Sequence, residues 1–525
     1  MKWIPLGICI ALGLCSCTVG PNYKEPKAKL QPAFGELATT STTQPSHPTT
    51  RPVEVTEWWA TFHDPELDAL IQRAVKTNPS LTQAASRIRQ ARAERVIAGA
   101  AELPTVNVGA GYEHARGSSN VTFPASIFGV GKNKGKQAPS RVGEPSPVNA
   151  PQLGTIGGTQ GGGVPLSPLG GGGLPGVTTD LYQVGFDAAW EIDIFGGVRR
   201  SIESANAEYQ AAIEDRRDVY ISLLSEVAVN YVELRGFQRQ IAISQENLKS
   251  QQQTLSLTQD RFRAGVTTQL DVARAQAQVA TTASGIPALD AMVHQAAHRI
   301  AVLLGETPMA LLQELIEIKP IPNAPGEVPV GVPADLLRRR PDIRRAERQL
   351  AAATAQVGVA TAQLYPRFTI SGTFGFDATK FSHVANWASR YYSIGPGVTW
   401  PIFDAGRIRA NIRVQNEAVN QDLSNYEQTV LNAMSEVEDA LVDYSREQQR
   451  RSALAEAVAA NQQARDLANQ QYQQGVVDFL TVLQAERDLF GAQDALAQSD
   501  IRISSDLVAI YKALGGGWEL DPANR

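Results

Sequence analysis

Cysteine is nearly absent, and where it occurs it cannot brace a fold: Cys9, Cys15 and Cys17 all lie in the first seventeen residues. A chain processed ahead of Cys17 keeps one thiol and no internal disulfide. Long apolar runs are missing as well. Past the N-terminus nothing approaches the roughly 18 residues of a spanning helix, so a membrane role must come from β-strands or from a lipid. An excess of one charge is lacking too, with 48 Lys and Arg against 53 Asp and Glu; no basic face is implied, and nucleic acid is not an expected partner. The glycine tracts have no Gly-Lys-Ser/Thr ending that would cradle a phosphate, since Gly131-Lys132 is followed by Asn133. His294 and His298 are four apart, as zinc ligands on a helix can be. The next residue is Gln295 rather than the glutamate of a zinc-protease motif, and no third ligand is evident. No nucleophile can be paired with a base. The expectation is a protein without metal, cofactor or catalysis.

What is present begins at the N-terminus. Lys2, an apolar stretch from Ile4 to Leu14 and then Leu14-Cys15-Ser16-Cys17 follow the order of a secretory signal. The ending resembles a bacterial lipobox. Residues 1–16 are therefore expected to be removed and Cys17 to be acylated. Thr18 stands where an aspartate would hold such a protein in the inner membrane, which favours outer-membrane sorting. Residues 17–57 read as a lipid-anchored tether, because 26–56 are rich in Pro, Thr and Ser.

Beyond the tether the chain repeats its plan. Pro79 and Pro104 are 25 apart, as are Pro341 and Pro366; Gly265 and Gly305 are 40 apart, as are Gly475 and Gly515. Arg261-Phe262-Arg263-Ala264-Gly265 aligns with Gln471-Tyr472-Gln473-Gln474-Gly475. Two units, 58–304 and 333–515, are expected, joined by a segment at 305–332 and followed by a tail at 516–525. Each reads helix, strand, strand, very long helix, turn, helix.

Strands are expected near 105–113, 181–193, 367–377 and 391–402, where apolar residues alternate with small or polar ones. Val106, Val108, Ala110 and Tyr112 share one face, and Tyr392, Ile394, Val398, Trp400 and Ile402 share another. That is the pattern of a lipid-facing barrel wall with a wet lumen. Four strands cannot close a barrel, which needs about eight, and an open edge in lipid leaves N–H and C=O groups unpaired. Copies must pool their strands; a dimer, a trimer or a tetramer would serve.

Long helices are expected at 198–264 and 405–474, with return helices at 268–304 and 478–514. Ile213, Tyr220, Val227, Leu234, Ile241, Leu248, Leu255 and Phe262 form an unbroken heptad series, the signature of helices that supercoil on neighbours. Gln238, Gln245, Gln252 and Gln259 run beside it as a stripe expected to face water. Pro287, without a counterpart in the second unit, is expected to kink its helix. Gly265 and Gly475 suit left-handed C-terminal caps, and Thr268 and Asp478 suit N-caps of the return helices.

These features resemble the outer-membrane efflux factor family, of the TolC, OprM and NodT type, in its lipoprotein branch. The matching stretches are Cys17-Thr18-Val19-Gly20-Pro21-Asn22-Tyr23, Trp58-Trp59, Asp64-Pro65-Glu66-Leu67 and Pro333-Ala334-Asp335-Leu336-Leu337-Arg338-Arg339-Arg340-Pro341-Asp342-Ile343-Arg344. With the repeated glycines they cover the chain from Cys17 to about Gly515. The resemblance implies a mixed α and β membrane protein, a homotrimer with a 12-stranded transmembrane barrel continued by a periplasmic α-helical barrel. It also implies an adaptor and an inner-membrane resistance-nodulation-division (RND) transporter as partners, and efflux of drugs or metal ions.

In that family the turns dock the adaptor and close the tunnel, which assigns docking to Gly265, Thr268, Gly475 and Asp478. The gate candidates are Leu270, Asp271, Leu480, Gln484 and Arg487. Leu480 matches the family's leucine; Gln484 stands where an aspartate is usual, so a weaker cation preference is expected. Arg487 could pair across hairpins. Residues 115–179 form a Gly/Pro/Ser-rich insert, a lid or a disordered loop outside the cell. Protein export by a type I system, and a non-conducting structural lipoprotein, are the competing readings.

Overall fold

The computed structural model describes residues 18–27, 31–36, 47–49, 56–120, 177–322, 325 and 327–521. The signal segment, Cys17 and nearly all of the 115–179 insert lie outside them. In chain order the elements are β1 (His47–Thr49), α1 (Pro65–Thr77), α2 (Pro79–Ala100), β2 (Thr105–Arg116), β3 (Thr178–Ile192), α3 (Gly197–Arg263), α4 (Gln269–Leu303), α5 (Leu312–Leu315), β4 (Glu327–Pro329), α6 (Pro333–Arg339), α7 (Pro341–Ala362), β5 (Arg367–Ala378), β6 (Arg390–Thr399), α8 (Arg407–Gln473) and α9 (Phe479–Ala513). The long helices α3 and α8 have 67 residues each, and α4 and α9 have 35 each. At 1.5 Å per residue a 67-residue helix is about 100 Å long. No helix among the described residues is long and apolar enough to cross a membrane.

The chain divides into two compact units, each with its own logic. The first holds β2, β3, β5 and β6 in one antiparallel sheet of order β2-β3-β5-β6. Register carries two ladders across all four strands. Val108, Phe186, Phe374 and Tyr392 align on one face, and Asn107, Asp187, Thr373 and Ser393 align on the other. Polar neighbours bond within their ladder: Asn107 Nδ2 donates to Asp187 Oδ2 at 2.9 Å, and the Thr373 and Ser393 hydroxyls are 2.9 Å apart. Among the described residues the apolar ladder is left exposed. Val108 is 70% exposed and Tyr392 74%, although cross-strand aromatic and β-branched pairs of this kind normally pack inward.

Three strand boundaries differ from expectation, the first being β2, which runs to Arg116 rather than 113. β3 starts at Thr178 rather than near 181, extended by pairing with Arg116, and β6 ends at Thr399 rather than 402. Pro401 has no N–H to extend the ladder, and Trp400 instead turns its Nε1 to the Leu364 carbonyl oxygen at 3.0 Å. Pro396 sits in β6, and an edge strand is where a missing donor is tolerated.

The second unit is helical. Asp64 caps α1 by accepting from Glu66 N and Leu67 N, and α1 buries Leu67, Leu70, Ile71 and Ala74, one face at helical spacing. These join Trp58, Tyr231, Leu234, Val437, Tyr444, Leu507 and Tyr511 in the main core, where Trp58 stacks on Tyr511 at 5.4 Å. Each leucine, isoleucine or valine among them contributes about 1.5–3 kcal/mol when fully buried. The heptad series is buried from Tyr220 to Ile241, half-buried at Leu248 and Leu255 and exposed at Phe262. A second apolar cluster, Ala275, Ala468, Tyr472, Phe479, Val482 and Leu483, is separate from the first. Pro287 lies inside α4 without ending it.

Two expectations need correction. Gln245, Gln252 and Gln259 are exposed, but Gln238 is only 2% exposed. Its Nε2 donates to the Leu315 carbonyl at 2.8 Å, and its Oε1 accepts from Arg235 at 2.7 Å. The stripe ends where the connecting segment packs on α3. The supposed tether is docked at several of its described residues. Val19 N donates to Phe195 O at 3.1 Å, and Arg200 Nη2 donates to Asn22 Oδ1 at 2.6 Å. Tyr23 Oη reaches Glu347 at 2.9 Å, and Gly35 N and Glu36 N both donate to Glu438. A Pro/Thr/Ser composition predicts an extended path but says nothing of what the path lies against.

Candidate functional site

The two turns that join the long helices to their returns have the same construction. At the first, Val266 N donates to Arg261 O and Gly265 N to Phe262 O, both at 2.9 Å. At the second, Val476 N donates to Gln471 O at 2.9 Å and Gly475 N to Tyr472 O at 3.0 Å. This is the Schellman arrangement, with glycine at the left-handed position: φ is +73° at Gly265 and +78° at Gly475.

The return helices begin on the expected caps. Thr268 accepts from Asp271 N and completes a capping box with that aspartate. Asp478 accepts from Thr481 N at 3.1 Å and from the Thr481 hydroxyl at 2.8 Å. Asp271 Oδ2 also receives the Thr267 and Thr268 hydroxyls at 2.8 and 2.7 Å. Burial works to raise its proton affinity, but these bonds win and hold its carboxyl below the ordinary aspartate value. Both aspartates are thus engaged as helix caps.

The remaining candidates divide by face. Leu270 and Leu480 are 57% and 48% exposed, and Val266 and Val476 beside the glycines are also exposed. Gln484 is exposed and donates to Asp488 Oδ1 at 2.8 Å along its own helix. Arg487 crosses from α9 to α4, with its Nε donating to Gln278 Oε1 at 2.7 Å.

A second link was not anticipated. Arg261, near the end of α3, donates through Nη1 to the Tyr472 carbonyl oxygen at 2.7 Å and to that of Gln473 at 3.3 Å. Its guanidinium lies 4.6 Å from the Tyr472 ring centroid. The arginine adds a charged donor to the last carbonyls of α8, that of Tyr472 already accepting from Gly475 N, and stacks on the helix's last aromatic. No local signal marks this contact, because the partners are 211 residues apart.

A model described as "Outer membrane efflux protein" matches residues 148–306 and 332–516. The chain is 31% identical over 513 residues to nodulation protein T of Rhizobium leguminosarum bv. trifolii, covering 97% of this chain and 96% of that protein. It is 30% identical over 517 residues to the pyoverdine export outer membrane protein OpmQ of Pseudomonas aeruginosa, covering 98% and 97%. Among solved structures, the outer-membrane channel OprN superposes with a TM-score of 0.80 at 35% identity, over 96% of this chain and all of that one. A four-stranded sheet whose apolar face is exposed among the described residues, a pair of very long helical hairpins and these likenesses agree: the chain belongs to the outer membrane efflux protein family and is an outer-membrane efflux channel with a transport rather than an enzymatic role.

Proposed function

We propose that the chain is the exit duct of a tripartite efflux pump, working as a homotrimer with a periplasmic adaptor and an inner-membrane RND transporter. The observation that carries this reading is the β2-β3-β5-β6 sheet. Its apolar ladder is exposed, and β2 and β6 each have an unpaired edge among the described residues. Lipid would accept the apolar face but not the edges, where each unpaired backbone group costs several kcal/mol. Three copies supply twelve strands, enough to close a wall around the polar ladder of Asn107, Asp187, Thr373 and Ser393. The lumen would then be lined by small and polar groups, suited to passing small molecules such as drugs without binding them tightly. Acylation at Cys17 adds a second hold on the membrane, next to a segment whose Val19 is bonded to Phe195.

The paired turns would serve as docking tips and constriction. Val266, Leu270, Val476 and Leu480 offer exposed apolar side chains to an adaptor, while the Arg261–Tyr472 and Arg487–Gln278 links hold the hairpins of one protomer together. Conduction itself is passive; energy enters at the inner-membrane partner. The test is antibiotic, dye and metal susceptibility of a deletion strain complemented by wild type or by Cys17→Ala. Hypersensitivity rescued by wild type supports the efflux reading and names the substrate class. Unchanged susceptibility, in a strain with no second duct, turns the assignment toward protein export or a structural role.

A further inference from the structure

Between the two apolar clusters of the helical unit, α3 and α9 are joined by a polar seam. Gln240, Asn247 and Thr254 recur at seven-residue spacing on α3, and each donates to α9. Gln240 Nε2 donates to Asp494 Oδ1 and Asn247 Nδ2 to Gln493 Oε1, both at 2.8 Å; Thr254 Oγ1 donates to Glu486 Oε1 at 2.7 Å. The lowest of these contacts is the least satisfied. Glu486 is 5% exposed, and Thr254 supplies one hydrogen bond to a group that can accept about four when ionised. One turn earlier on α3, Gln251 is 3% exposed, and neither its Oε1 nor its Nε2 has a hydrogen-bond partner among the described residues.

The charge that reaches Glu486 comes from Arg465 of α8, and that guanidinium is already committed. Its Nε donates to Asp466 Oδ1 at 2.7 Å, and its Nη1 lies 3.5 Å from Ser250 Oγ. On its own helix the neighbouring charges point elsewhere, Arg487 to Gln278 of α4 and Asp488 to Gln484. An ionised carboxylate in this place is buried without adequate compensation.

We propose that Glu486 is a positioning residue of the gate: in its neutral form it holds α9 against α3 with the turns closed, and on ionisation it releases α9. This rests on the reading that the paired turns are the channel's constriction. Burial raises its proton affinity above the ordinary glutamate value of 4.5, against the opposing pull of Thr254 and Arg465. A state in which α9 leaves α3 would wet the carboxyl and return it toward that value. The closed state therefore binds more protons over the interval from 4.5 up to the raised value. Acid favours closure across that interval, and rising pH favours opening.

The experiment is single-channel recording of the full-length protein in planar bilayers from acid to neutral pH. Wild-type open probability is expected to rise with pH, by no more than about tenfold per pH unit for each carboxylate that titrates. Glu486→Gln is expected to remain mostly closed and to lose that slope. Arg465→Gln removes a charge that favours ionisation, so its midpoint is expected to move to higher pH. An unaltered pH response in Glu486→Gln, or a midpoint moved to lower pH in Arg465→Gln, overturns the proposal. Should Glu486→Gln fail to assemble, Arg465→Gln decides alone. Failure of the underlying reading is a separate outcome: conductance would then be insensitive to Arg261→Ala, a substitution at the turns themselves.

Discussion

Arg261 and Tyr472 meet twice, through a 2.7 Å hydrogen bond from the guanidinium to the Tyr472 carbonyl oxygen and a 4.6 Å approach to its ring. One side chain thus ties the end of one long helix to the end of the other, beside the turns expected to close the duct. Arg261→Ala should weaken that junction by ~2 kcal/mol, the size of one charged hydrogen bond with some cation–π attraction. Raised single-channel conductance and a leakier outer membrane are expected. Wild-type conductance in the variant would count against the turns as the constriction.

The glutamine at 484 makes selectivity testable. Gln484 is exposed, with its amide bonded along its own helix to Asp488, so no carboxylate stands at that position. Gln484→Asp should shift the reversal potential in a salt gradient toward cation selectivity. Asp478→Asn should leave selectivity nearly unchanged, because the Asp478 carboxylate is occupied with Thr481 and asparagine caps about as well. A large selectivity loss in Asp478→Asn would place the charged ring there.

Gly20 is predicted to tolerate no side chain. Its φ is +89°, and a Cβ there would stand 2.5 Å from Gly358 Cα, a backbone atom that cannot swing aside. The left-handed conformation alone costs an L residue about 1–2 kcal/mol, and the overlap adds to that. Gly20→Ala should detach the segment around Asn22 and Tyr23 and expose it to protease. Wild-type resistance to limited proteolysis would refute this.

Asp506 links stability to pH. Burial, reinforced by Asp443 and Glu447 and opposed by Arg502, pushes its carboxyl up to about 7 from the ordinary 3.8. Between those values the folded state holds a proton that the unfolded chain has released, so stability falls as pH rises from 3.8 to about 7 and levels off above. Asp506→Asn should flatten that part of the profile and raise the melting temperature at and above neutral pH. A thermal-melt series in detergent that keeps the wild-type slope in the variant would count against the assignment.

Much of this architecture is readable in single residues. Tyr220, Val227 and Leu234 announce a buried helix face because an α-helix returns nearly to the same azimuth every seven residues. Val108 and Tyr392 announce one face of a sheet because strand side chains alternate. Gly265 with Thr268, and Gly475 with Asp478, announce their turns because caps are local chemistry, settled by residues within one helical turn.

Other features are not legible because they depend on which element lies alongside which. Gln238 belongs to a glutamine stripe by spacing, yet the connecting segment buries it under the Leu315 carbonyl. The N-terminal tether reads as extended, yet Tyr23 is fastened to Glu347, 324 residues later.

Periodicity and local cap chemistry thus determined the strands, the long helices and their caps, all from interactions within a few residues. Tertiary structure alone decided that Arg261 meets Tyr472 and that Thr254 meets Glu486, since a heptad specifies that a face will be covered but not by what. Those pairs, 211 and 232 residues apart, lie beyond anything local propensity can reach, and the proposed gate is built from them.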